Sequence, residues 1–328
     1  MTETLERYCA LFSQLRRAPG AAFGELTRRR APHKPLLLLS VMDLAARGVL
    51  TSSFIGIEGD LTELNELFSN YWRRIFAPGQ ASSIAFPFSR LHNEPFWELV
   101  PREGRQISPA ALNAVTAVSQ LRRLAVGARI DQPLFRLMCA PAARAALAGA
   151  LLRSCFSEEG ARLVADQCAI HDQAFRYSLA IERSARQPRA GEQLAAEAYR
   201  PEARDQGFRR IVVRTYDHRC ALCGVRIVTA EGHTAVDAAH IVPWSETRND
   251  HVSNGMALCK LCHWAFDEGL MGVSDAYSVI VARQANAVPN APGLLMMLAG
   301  RRILCPEDEP LRPAQESFDW HRRRFRLA

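Results

Sequence analysis

"CALC" at residues 220–223 and "NGMALCKLCHWAFD" at 254–267 carry two Cys-x-x-Cys pairs, Cys220 with Cys223 and Cys259 with Cys262. Each turn of this kind brings two sulfurs to one vertex, and a second pair closes a tetrahedral site, so four thiolates can share one structural zinc ion. The bland alternative is four reduced core cysteines. The segment between the pairs is short and loop-rich and could not easily bury a core of its own, so a bound ion would supply folding energy there.

Working outward, "TAVDAAHIVPW" (234–244) reads as a strand whose last residue is His240. "NDHVSNGMALC" (249–259) reads as a loop passing Asn254, and "CHWAFDEGL" (262–270) as a short helix starting near Cys262. On that helix His263 and Asp267 are four apart and share a face. An imidazole and a carboxylate so placed can bind a divalent cation such as Mg2+ or Mn2+. Zinc would pin strand, loop and helix so that His240, Asn254, His263 and Asp267 meet. His218, His233 and His251 read as surface or loop residues.

The chain has 328 residues, which suggests two domains. Its net charge is +7, and Lys34 and Lys260 are the only lysines, so the basic surface is arginine. Guanidinium groups suit phosphate partners. No signal peptide is read at the N-terminus, and "PLLLLSVMDLAARGVL" (35–50) is interrupted by Asp43 and Arg47 and too short to span a bilayer. A cytoplasmic protein without membrane contact is expected, and its nine cysteines should not form a disulfide framework.

Residues 1–20 read as a helix, "LLLLSVMDLAARG" as an apolar helix, and 60–76 as a helix with Asp60 at its N-cap. The proline- and aromatic-rich stretch 82–101 reads as short strands and turns, and 108–166 as helical, with Ser108 at an N-cap and Pro109 behind it. Between 173 and 203 the sequence is polar, mixed in charge and without aliphatic periodicity, which predicts a linker. The expected fold is α+β: a mainly helical N-terminal domain with a small sheet over 1–172, the linker, and a zinc-stapled ββα domain with a C-terminal helix over 204–328.

The segment 220–270 resembles the HNH nuclease family, and its elements arrive in the family order. The resemblance implies a ββα-metal fold in which His240 is the general base, Asn254 holds the base's loop, and His263 binds the catalytic metal. Many members carry an acidic or histidine ligand just before the base, where this chain has Ala239. Asp237 lies two positions further back and is expected to point away from His240. Either Asp267 supplies the missing ligand from the helix, or the site binds metal weakly.

In the first domain "RRRAPHKP" (28–35) is a phosphate clamp or a solvated basic loop, and "IAFPFSR" (84–90) is an aromatic binding surface or plain core. Together with "LLRSCFSEEGARLV" (151–164), these stretches resemble the sulfur-binding domain of phosphorothioate-dependent restriction endonucleases, which precedes an HNH module. That resemblance implies backbone contacts from His33 and Lys34, beside the basic-loop candidate Arg30, and a sulfur cup from Phe86, Pro87 and Arg90. The reading is a metal-dependent restriction endonuclease, dimeric on double-stranded, phosphorothioated DNA. The rivals are a non-catalytic zinc-containing DNA-binding protein, an HNH nuclease reading a methylated or otherwise modified base, and a nicking or RNA-directed enzyme.

Overall fold

A computed structural model of the protein describes residues 2–20, 22–103, 106–187, 196–286 and 293–327. The chain divides into two compact units, Met1–Asp172 with Thr229–His233, and Gln173–Val228 with Thr234–Ala328. The architecture is α+β, with three small antiparallel sheets among many helices in the described residues. Among the described residues no single helix is long and apolar enough to cross a membrane.

The first unit is built on the helix His33–Ala46, which is apolar all round and buried along almost its whole length. Helices Thr2–Ser13, Leu61–Ile75, Gln132–Cys139 and Pro141–Cys155 share one core with it. Asp43, an interruption in the apolar run, is a hub there. It accepts hydrogen bonds from Tyr71 Oη (2.8 Å) and His171 Nδ1 (2.8 Å). A three-stranded sheet flanks the core in the order β1 (Phe54–Gly56), β3 (Ala125–Ile130), β2 (Trp97–Pro101).

Several expectations are corrected here. The first helix stops at Ser13. Residues 85–90 of the expected strands and turns form a short helix, Ala85–Arg90. The helical texture over 108–166 hides β3, the central strand of the sheet. At Gly127 a Cβ would lie 2.4 Å from the Ile55 carbonyl oxygen, so only glycine lets β1 approach β3 this closely. Asp60 does stand at the N-cap of its helix, but its carboxylate makes no capping hydrogen bond and accepts from Gly56 N–H instead (2.7 Å). Ser108 does cap its helix, accepting from Ala111 N–H at 3.1 Å, with Pro109 in the first turn.

The stretch 173–203 is not a free linker. Helix Glu158–Arg186 runs through its first half, and Pro201–Thr215 begins before its end. Tyr177, Ile181, Ala185 and Ala196 are buried in the second unit's core, an anchoring that a window lacking aliphatic periodicity conceals. Residues 188–195 of that stretch lie outside the described residues.

In the second unit β4 (Val236–His240) pairs antiparallel with β5 (Gly255–Cys259), and His240 lies opposite Gly255. The helix Lys260–Asp267 follows at once, completing a ββα unit. The C-terminal helix Gln315–Phe325 packs against the strand Met271–Val273, and its buried His321 stacks on Phe266 of the ββα helix.

Candidate active site and metal centre

The four cysteines come together. Cys220 and Cys223 sit in a tight turn closed by Gly224 N–H donating to the Cys220 carbonyl (2.9 Å). Ala221 N–H, donating to Ala257 O at 2.7 Å, sews that turn to β5. Cys259 ends β5, and Cys262 lies in the first turn of the following helix. The four sulfurs lie within 4.8 Å of one another, and Cys223 Sγ is 3.8 Å from Cys259 Sγ. Four sulfurs at ordinary zinc–sulfur distances are about 3.8 Å apart along a tetrahedral edge, so the cluster fits a zinc-sized ion. The crowding splits the thiols' acidities. The Cys262 hydrogen bond pulls Cys220 down to about 5, whereas burial first, and the neighbouring sulfurs second, push Cys223 up to about 11. Four thiolates this close need a shared cation to be ionised together.

His240 is the last residue of β4, and its ring stacks on Phe208 at 4.0 Å with the planes 6° apart. Phe208 and Val212 come this near because residue 255 is glycine. A Cβ there would be 2.7 Å from Val212 Cγ2 and 3.0 Å from Phe208 Cζ. His240 Nε2 hydrogen-bonds Asp250 Oδ1 at 2.6 Å. Asp250 is buried, and its other oxygen accepts from Tyr177 Oη (2.8 Å) and pairs with Arg204 Nε (3.3 Å). The Arg204 guanidinium in turn lies 3.7 Å over the Trp244 ring. Sequence reading missed Asp250, Tyr177, Arg204 and Phe208.

Asn254 is fully buried and uses its whole amide. Its Oδ1 accepts from Val242 N–H (2.9 Å), and its Nδ2 donates to Val242 O (2.9 Å) and Asn249 O (3.0 Å). The backbone after His240 is thereby tied to the backbone just before Asp250. His251, expected on the surface or in a loop, is half-buried and caps the turn Val252–Asn254, with Nδ1 accepting from Ser253 N–H.

On the helix Lys260–Asp267, His263 Nε2 lies 3.5 Å from Asp267 Oδ2, and both side chains reach solvent. Two donors bound to one ion at about 2.1 Å would stand roughly 3 to 3.5 Å apart, so the pair fits a shared cation. Burial raises the Asp267 carboxyl above its usual range, and His263 partly offsets this. Among the described residues the four cysteines are the only cluster of three or more ligand-type side chains. His240 therefore does not join His263 and Asp267 in one ligand set. Asp237, two positions before Ala239, pairs with Arg209 Nε at 2.8 Å.

In the first unit the expected DNA contacts divide. Arg30 is exposed. Lys34 is buried and ion-paired with buried Glu94, so it is not a free phosphate clamp. His33 lies among aromatic rings, 4.6 Å from Trp72, 4.9 Å from Phe86 and 5.7 Å from Phe23. Burial pushes its pKa down to about 4, so it is a neutral ring rather than a cation, and its buried Nδ1 has no hydrogen-bond partner. The Arg90 guanidinium sits 5.0 Å over Phe86, while donating to the carbonyls of Leu112 and Asn113. Pro87 is buried in the short helix. Phe23 and Trp72 belong to this cluster without any sequence signal that singled them out.

Residues 220–274 match the family model described as HNH endonuclease. No curated protein matches the chain. Among solved structures, a modification-dependent TagI restriction endonuclease aligns at 22% identity with a TM-score of 0.27. The alignment covers 36% of this chain and 36% of that one, so the chain spans little more than a third of that protein's length.

Proposed function

We propose, from the HNH endonuclease domain that residues 220–274 form, that the chain is a metal-dependent endonuclease hydrolysing phosphodiester bonds of double-stranded DNA. The observation that carries the reading is the state of His240. Its Nε2 is committed to the Asp250 carboxylate, so the neutral ring carries its proton there and keeps a lone pair on Nδ1. A water molecule beside Nδ1 can lose its proton to that nitrogen as it attacks phosphorus. Asn254 holds the loop that presents the ring. His263 and Asp267 would hold a divalent ion, Mg2+ or Mn2+, which when bound offsets charge on the scissile phosphate. The four cysteines would hold structural zinc, which fixes the strand and helix on either side.

The first unit serves as the reader of the target in this proposal, and its target is modified DNA, phosphorothioate first among the candidates. The half-buried aromatic surface of Phe23, His33 and Phe86 beside the Arg90 cation suits an anion that is larger, softer and less hydrated than an ordinary phosphate. Cutting both strands takes two active sites or two encounters, and a homodimer on DNA, working in the cytoplasm, supplies the two sites at once.

The test incubates modified and unmodified plasmid with the protein and Mg2+ or Mn2+, beside His240→Ala. Metal-dependent cutting that His240→Ala abolishes is expected. DNA that is bound but left intact would make the chain a binding protein, and open circles without linear product would make it a nicking enzyme. Equal affinity for an oligonucleotide with and without a sulfur-substituted linkage would remove the sulfur reading alone.

A further inference from the structure

We propose that Asp250 is the positioning residue of the His240 base, and that Tyr177 and Arg204, both outside the segment matching the HNH model, hold Asp250 in place. The inference rests on His240 acting as the base and adds what sets its tautomer and direction.

Asp250 is 3% exposed, so its carboxylate must find partners inside the protein. It finds three, on three separate elements. Oδ1 faces His240 Nε2 at the end of β4. Oδ2 accepts the hydroxyl of Tyr177, from helix Glu158–Arg186, and faces Arg204 Nε, from helix Pro201–Thr215. The Arg204 guanidinium itself lies over the Trp244 ring, 3.7 Å from its centroid. The carboxylate therefore has a fixed position and direction, and the imidazole that meets it inherits both. Stacking on Phe208 fixes the plane of the ring, and the Asp250 contact fixes its rotation within that plane.

The chemical consequence is specific. A carboxylate only accepts, so it selects the ring form protonated on Nε2 and leaves Nδ1 as the acceptor. An asparagine at 250 has the same shape, but its amide can also donate to Nε2. The ring would then carry its proton on Nδ1 and have no lone pair for the incoming water. Tyr177 and Arg204 do not touch the imidazole. They act by keeping the carboxylate from turning away.

The experiment compares the full-length wild type with Asp250→Asn, Tyr177→Phe, Arg204→Gln and His240→Ala, each checked for retained zinc and a cooperative melt. Two readouts are taken. The first is kinetic, on a plasmid that the wild type cuts. Asp250→Asn is expected to lower kcat by about 10²- to 10⁴-fold with KM nearly unchanged. Tyr177→Phe is expected to lower kcat by about threefold to tenfold, the equivalent of one ordinary hydrogen bond. The second needs no DNA. The 15N spectrum of His240 at about pH 8.5, above the ordinary imidazole range, should show a single form protonated on Nε2 in the wild type and a mixture in Asp250→Asn.

If His240→Ala is inactive while folded Asp250→Asn keeps wild-type kcat and tautomer, the positioning role is overturned and the base assignment stands. If His240→Ala cuts as well as the wild type, the functional reading itself falls. Should Asp250→Asn fail to fold, an unchanged kcat in both Tyr177→Phe and Arg204→Gln overturns the inference.

Discussion

His321 stacks on Phe266 with ring centroids 3.7 Å apart and planes 14° from parallel, and its Nε2 donates to the Phe266 carbonyl oxygen at 2.9 Å. Phe266 is the neighbour of Asp267, so the C-terminal helix braces the helix that carries His263 and Asp267. His321 is buried, its Nδ1 has no partner, and desolvation lowers its pKa from 6.5 to about 4. The unfolded chain therefore binds this proton more readily than the folded one between these values. Stability is full above about pH 6.5 and falls as pH drops toward 4, by up to about 3 kcal/mol from this group. Chemical denaturation across that range should show the loss, and His321→Gln, which can still donate to Phe266 O, should reduce it.

Metal analysis should find one zinc per chain, bound by the four cysteines. Replacing Cys259 with serine is expected to release the ion and unfold the second unit, because Cys259 ends β5 and precedes the helix of His263. Calorimetry would follow this as loss of one transition. A metal-free Cys259→Ser protein with an unchanged melt would contradict it.

Asn254→Ala removes three hydrogen bonds, the two to Val242 buried and the one to Asn249 O partly so, and takes the amide partner from Val242 N–H and two carbonyls. A loss of about 3 kcal/mol or more is expected in urea unfolding, together with a fall in cutting rate. Asn254→Asp keeps the acceptor, loses the donors and buries a charge, so it should rescue neither property.

Lys34→Ala should act on stability before it acts on DNA. It leaves Glu94 buried without its counter-charge, at a cost of about 3–5 kcal/mol in equilibrium unfolding. Phe86→Ala removes a half-buried ring from the aromatic surface beside Arg90 and should leave the fold intact. Its effect is expected on binding, with at least a roughly tenfold weaker grip on phosphorothioated oligonucleotide if stacking and apolar contact carry the preference.

What could be read from the chain, and what could not, follows from the range of the forces involved. Metal ligation demands fixed residue types at fixed spacing, so Cys220, Cys223, Cys259 and Cys262 declare themselves. A strand that stops at His240 before Pro243 is equally local. Asp250 is different, because in "RND" an aspartate that pairs with Tyr177, 73 positions away, looks the same as one facing solvent. Lys34 misleads for the same reason: its neighbours are cations and prolines, while Glu94 is 60 positions distant. The strand Ala125–Ile130 is set by partners on both sides rather than by its alanine, glycine and arginine residues.

Helix Glu158–Arg186 starts in one compact unit and ends in the other, and Tyr177 lies on its second half. Anyone transplanting the cutting module onto a new targeting protein would be tempted to trim at residue 204, where the polar stretch ends. That trim would discard the phenol anchoring Asp250 and part of the apolar packing beneath it. A graft meant to keep its activity should begin at or before Gln173, carrying the helical stem along with the blade.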